Sequence, residues 1–113
     1  MHGFRIHTSA SAPAEVRPLL KEVEAARGFL PNLLGQLAES PAALNAYAGI
    51  AVALRSSSLS AAERELVLVA AAAENDCHYC TPAHSWAASQ TDLPADVLHT
   101  VRAGRRVDEA RLE

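Results

Sequence analysis

Aromatic residues are scarce: the 113-residue chain has one Trp, two Tyr and two Phe, although half of its residues are hydrophobic. Alanine dominates that hydrophobic half instead, and alanine combines the highest helix propensity with depletion from strands. No stretch shows the strict alternation of a half-buried strand. The expected fold class is therefore all-α. Long apolar runs are also missing, and none approaches the ~18 residues that a membrane span needs. The first ten residues, MHGFRIHTSA, lack the apolar centre of a secretory signal. A cytoplasmic protein with no membrane partner is the expectation. Basic excess is absent too, with 10 Lys and Arg against 13 Asp and Glu and a net charge of −3, which argues against nucleic acid as the main ligand. Arg102, Arg105 and Arg106 are followed at once by Asp108 and Glu109, so that stretch reads as a solvated helix end.

One compact domain, residues 1–113, fits the length, and a chain of this size should bury about 65% of its unfolded surface without a metal or disulfide staple. A fifth of the residues are charged, which with the apolar half disfavours global disorder. Residues 1–12 show no helical period and read as an N-terminal arm, with Phe4 and Ile6 available to dock it on a neighbour. Ser11-Ala12-Pro13 opens a first helix with Val16, Leu19, Leu20 and Val23 at helical spacing, and Gly28 closes it. Pro31 starts a short segment to Glu39, and Ser40-Pro41 opens a helix from Ala42 to about Arg55 that carries Tyr47 as a core residue. Ser60 with Glu63 forms the capping-box pattern, and the helix it opens should end at Asn75-Asp76. Thr81 as cap and Pro82 at the first helical position start a further piece carrying His84 and Trp86, the latter read as a core or interface residue. Leu93-Pro94 begins another helix that ends at Gly104, and residues 108–112 look like the first turn of one more. The expectation is a compact bundle of about six short helices.

The two cysteines of the chain fall together in Cys77-His78-Tyr79-Cys80. In a cytosolic chain such a pair points to redox work or metal binding rather than a structural crosslink. At this spacing around a helix start the sulfurs come within disulfide reach, so one thiolate can attack a substrate and the other resolve the product. His84 follows Cys80 by four residues and shares its helical face, the placement a base-activated thiol needs. Glu65 lies twelve residues before Cys77, too far along one straight helix. If the chain reverses near Asn75-Asp76, however, Glu65 and His84 come opposite each other in a helix hairpin, where the carboxylate would orient the imidazole. The plainer reading makes Glu65 an exposed carboxylate beside Glu63 that stabilises the helix dipole. Spacing alone leaves both readings open.

Glu65, Cys77-x-x-Cys80 and His84, in this order and spacing, resemble the active-site pattern of the AhpD-like alkylhydroperoxidases of the carboxymuconolactone decarboxylase family. The resemblance covers roughly residues 45–104. It implies an all-α fold assembled as trimers or hexamers and a thiol peroxidase that reduces hydroperoxides through the cysteine pair. It also implies catalytic roles for Glu65, Cys77, Cys80 and His84. The pattern departs from the family at three places. Tyr79 stands where some members carry a relay histidine, and His78 precedes it; the relay role is not transferred, and His78 reads as an exposed turn residue. Asp76 replaces a common glycine before the first cysteine. Relatives usually continue for another helix or more, whereas this sequence stops at Glu113.

The leading expectation is a thiol-dependent peroxidase acting on a small hydroperoxide, with electrons from an external dithiol, since no flavin or nicotinamide fingerprint is present. Within the pair, Cys80 is expected to attack peroxide because His84 is one helical turn away while Asp76 adjoins Cys77; the opposite order occurs in many Cys-x-x-Cys sites. The competing readings are a zinc site of Cys77, Cys80 and His84 with Glu65 or His78, and a non-catalytic helical interaction module. Few large side chains and close-packing alanine faces add the expectation of a homo-oligomer.

Overall fold

A computed structural model of the chain describes residues 3–108. Every regular element among them is helical: a single 3-10 turn at Ala14–Val16, then α1 (Arg17–Arg27), α2 (Asn32–Leu37), α3 (Pro41–Arg55), α4 (Ala61–Glu74), α5 (Cys80–Ser89) and α6 (Ala95–Arg102). These are the six short helices expected from the punctuation of the sequence. The expected turn at residues 108–112 lies outside the described residues apart from Asp108. The backbone gathers into two compact units, Met1–Ala53 and Leu54–Glu113.

In the Met1–Ala53 unit, Val16 and Leu20 are buried with Ala12, Ala38 and Leu44, and Leu19, Leu30, Leu34 and Leu37 pack around them. Full burial of each large aliphatic side chain stabilises by about 1.5–3 kcal/mol. Gly28, at φ +81°, ends α1 in the left-handed region, and its N–H closes onto the Glu24 carbonyl. The segment read as an arm is anchored from His7 onward. The His7 N–H donates to the Gly35 carbonyl at 3.0 Å, and its ring lies 2.5 Å from Glu39. Gly35 permits this approach, because a Cβ there would sit 2.7 Å from the His7 carbonyl oxygen. Phe4 remains exposed. Tyr47 is also exposed, at 39%, contrary to its expected place in the core. α3 is apolar on all sides and buries only Leu44 fully, so no polar face marks which side turns outward.

In the Leu54–Glu113 unit, α4, α5 and α6 pack on one another around Leu66, Val69, Ala88, Val97 and Val101. The capping box forms at the start of α4: the Glu63 N–H donates to Ser60 Oγ at 3.1 Å, and the Ser60 N–H donates to Glu63 Oε2 at 2.8 Å. Its end is closed by two reciprocal bonds, from the Asp76 N–H to the Ala73 carbonyl and from the Cys77 N–H to the Ala72 carbonyl. Asp76 adopts φ +49° between them. This is the left-handed helix stop usually given to glycine, which Asp, with its short polar side chain, also adopts. α6 closes in the same way at Gly104, φ +72°, with bonds from Gly104 to Val101 and from Arg105 to Thr100.

Candidate active site

The chain reversal at residues 75–79 turns α4 back into α5 and makes the two helices a hairpin. α5 begins at Cys80, one residue before the expected Thr81 cap, with Tyr79 as its N-cap. Pro82 therefore sits at the third helical position rather than the first. It is tolerated there because the first-turn N–H groups have no intrahelical acceptor, so the missing donor costs no bond. The Thr81 N–H instead reaches back to the Cys77 carbonyl at 3.0 Å.

Cys77 and Cys80 are joined as a disulfide with their Cα atoms 5.2 Å apart. Both residues are partly buried, while His78 and Tyr79 between them are exposed. The Cys80 N–H points at Cys77 Sγ, 3.1 Å away. A backbone donor aimed at a sulfur from the first turn of a helix favours negative charge on that sulfur when the bond opens. Nothing in the residue spacing announces this contact, which depends on the helix starting at Cys80.

His84 lies one turn beyond Cys80 on α5, and its Nδ1 meets Glu65 Oε2 at 3.1 Å. The two side chains are 28% and 25% exposed, so the pair sits at the edge of the core rather than in bulk water. Glu65 is thus the hairpin partner of the imidazole and not a dipole-stabilising surface carboxylate. With a carboxylate accepting at Nδ1, that nitrogen carries hydrogen and Nε2 is left to accept or pass a proton. The hairpin therefore carries Glu65, Cys77, Cys80 and His84 in one unit: a redox-capable sulfur pair and, one helical turn further on, an imidazole of fixed tautomer. Trp86, 48% exposed two residues further on, is not buried in the core.

His78, weighed as a zinc ligand, projects to solvent from the loop and lines a separate cleft with Asp76, Thr81 and Arg102. Among the described residues, no group of three or more His, Cys, Asp or Glu is arranged to hold a metal ion. No helix among them is long and apolar enough to cross a membrane. A second histidine–carboxylate pair, His7 with Glu39, belongs to the other compact unit and was missed in the sequence. Its one local signal is Gly35 inside an otherwise leucine-rich helix, a mark of close backbone approach.

No curated protein matches the chain. The family model described as the carboxymuconolactone decarboxylase family matches residues 38–110, a span that is more than half of the chain and includes all four residues carried by the hairpin. The chain belongs to the carboxymuconolactone decarboxylase family.

Proposed function

We propose that this protein is a thiol-dependent peroxidase of the alkylhydroperoxidase type. One observation carries the reading: a Cys77–Cys80 disulfide at the first turn of α5 is followed, one helical turn on, by an imidazole held by Glu65. In the reduced enzyme, His84 takes the Cys80 thiol proton, and the thiolate attacks the terminal oxygen of a hydroperoxide. The O–O bond breaks, Cys80 becomes a sulfenic acid, and the departing alkoxide takes the proton from His84 to leave as an alcohol. The Cys77 thiolate then attacks the sulfenic sulfur, forming the disulfide, and the hydroxyl leaves as water after taking one proton. An external dithiol reduces the disulfide and is itself oxidised to a disulfide. The net change converts hydroperoxide and dithiol into alcohol, water and disulfide.

A free-thiol count on the reduced chain, before and after one equivalent of hydroperoxide, tests the reading. Loss of two thiols per chain supports it, and an unchanged count overturns it. The Cys80 N–H bond to Cys77 Sγ, which stabilises charge on Cys77, would also suit the opposite order, with Cys77 as the attacking thiolate. That bond suits Cys77 equally as the resolving thiolate and as the leaving group when the external dithiol attacks Cys80. Self-association is part of the same reading, supported by the exposed Tyr47, Ile50 and Val52 of α3.

A further inference from the structure

A cleft of about 460 Å³ opens beside the cysteine loop, between residues 76–82 and the C-terminal end of α6. Its walls include Asp76, His78, Thr81, Pro82, Arg102 and Gly104, but neither Glu65 nor His84, and the cysteines adjoin the lining residues without lining it themselves. Helical geometry accounts for the division: Thr81 and Pro82 lie about 100° and 200° around α5 from Cys80, whereas His84 lies within about 40° of it. The disulfide loop is therefore bordered by the Glu65–His84 pair and, separately, by this cleft. His78 comes from between the two cysteines and Thr81 directly follows the second. The lining residues Asp76 and His78 flank Cys77, and Thr81 adjoins Cys80, so the cleft borders the backbone that carries both sulfurs.

The cleft has a distinct chemistry. Arg102 supplies a guanidinium fork that takes part in no ion pair among the described residues. His78 and the Thr81 hydroxyl add further hydrogen-bonding groups. The left-handed turn at Gly104 ends α6 just after Arg102 and makes the neighbouring wall. Asp76 places one carboxylate on the same rim. A guanidinium pairs in bidentate fashion with the two oxygens of a carboxylate. The volume lies within the ~300–1,000 Å³ usual for small-molecule sites.

We propose that this cleft is a carboxylate subsite, in which Arg102 holds the acid group of an organic acid hydroperoxide while its peroxy end reaches the cysteines. The substrate class is thus a hydroperoxide bearing a single carboxylate, such as an oxidised short fatty acid. The assignment rests on the peroxidase reading for its purpose, but not for the binding itself.

The test has two arms, both on the full chain. In the first, hexanoate is titrated into the disulfide form, and backbone amide shifts of Thr81, Arg102 and Gly104 are followed by NMR, with hexanol as the uncharged control. Saturable shifts are expected with hexanoate and not with hexanol. Arg102→Gln should weaken binding about tenfold, the usual effect of losing one charge-assisted contact. Asp76→Asn should strengthen it, because the opposing charge is gone. Absence of saturable shifts, or equal affinity in the wild type and Arg102→Gln, overturns the subsite. In the second arm, kcat/KM is measured for a short fatty-acid hydroperoxide and for tert-butyl hydroperoxide, with dithiothreitol as reductant. Arg102→Gln should lower the ratio of the two about tenfold, and an unchanged ratio overturns the substrate class. If hexanoate binds through Arg102 while neither peroxide is reduced, the carboxylate site stands and the peroxidase reading fails.

Discussion

His84 has two nitrogens with different duties. Nδ1 is committed to Glu65 at 3.1 Å, so the imidazole cannot rotate freely and its other nitrogen is the one left for chemistry. Glu65→Gln keeps the shape of this contact but replaces the carboxylate that accepts from Nδ1 with a neutral amide. The variant should fold as the parent does and react with peroxide roughly 10- to 100-fold more slowly, part of the ~10²–10⁴ that general acid–base catalysis contributes. The pH at which the reactive thiol is half-ionised should rise in parallel. Stopped-flow consumption of peroxide across pH measures both, and two unchanged curves would remove Glu65 from the mechanism. The cysteines separate by single substitution. Cys77→Ser should still consume one equivalent of peroxide and leave a trappable sulfenic acid on Cys80, while Cys80→Ser should consume almost none on that timescale. A fast single turnover in Cys80→Ser would reverse the order while leaving the dithiol cycle intact. In the sequence, spacing put His84 one turn after Cys80 but left Glu65 open between a hairpin partner and a surface carboxylate, and the Glu65–His84 contact decides between those two places. Arg102 was not legible: it read as a solvated helix end, and only the fold brings it to the cleft beside the cysteine loop.

Helix boundaries were legible wherever one side chain decides a backbone bond. Ser60 and Glu63 satisfy each other's N–H groups at the start of α4, and Gly104 closes α6, as their positions suggested. The start of α5 was not legible, because Thr81-Pro82 has the form of a cap and first residue although the helix begins at Cys80. Proline fits either register, since every N–H of the first turn lacks an intrahelical acceptor. Asp76 shows the same ambiguity from the other direction. The pair Asn75-Asp76 announced a stop without saying which of the two would turn left-handed, and that conformation falls on Asp76 at φ +49°. A side chain there strains the backbone, with a cost of up to about 1–2 kcal/mol for an ordinary residue and less for Asp. Asp76→Gly should relieve that strain and lose part of the gain to the greater freedom of the unfolded chain. A net stabilisation of about 0.5–1 kcal/mol is expected, read as a higher urea midpoint at unchanged slope. A midpoint lowered by a comparable amount would show that the Asp76 side chain contributes a contact worth more than the strain.

At the scale of the whole chain, the least legible feature was the anchoring of the N-terminal segment. His7 bonds to Gly35 and Glu39, and partners 28 and 32 positions away leave no local pattern to read. What the sequence did convey is a shortage of large side chains, and its consequence is visible in α3. Tyr47, Ile50 and Val52 are exposed, Ile50 at 69%, in a helix with no charged residue before Arg55. Each such side chain gains about 1.5–3 kcal/mol on full burial, so leaving them in water forfeits a large part of what a small domain can collect. A second copy of the chain offers the same apolar helix and forms a self-complementary contact without new sequence. The expected outcome is a homo-oligomer at micromolar concentration in sedimentation velocity, rather than a 12.0 kDa species. Ile50→Lys places a charge at the most exposed of these three side chains, where neither the Leu44 core contact nor the helix itself depends on the side chain. It should shift the chain toward monomer while retaining its helical circular dichroism. A parent chain that already sediments as a monomer, or an assembly indifferent to Ile50→Lys, would show that the exposed face of α3 is not what joins the copies.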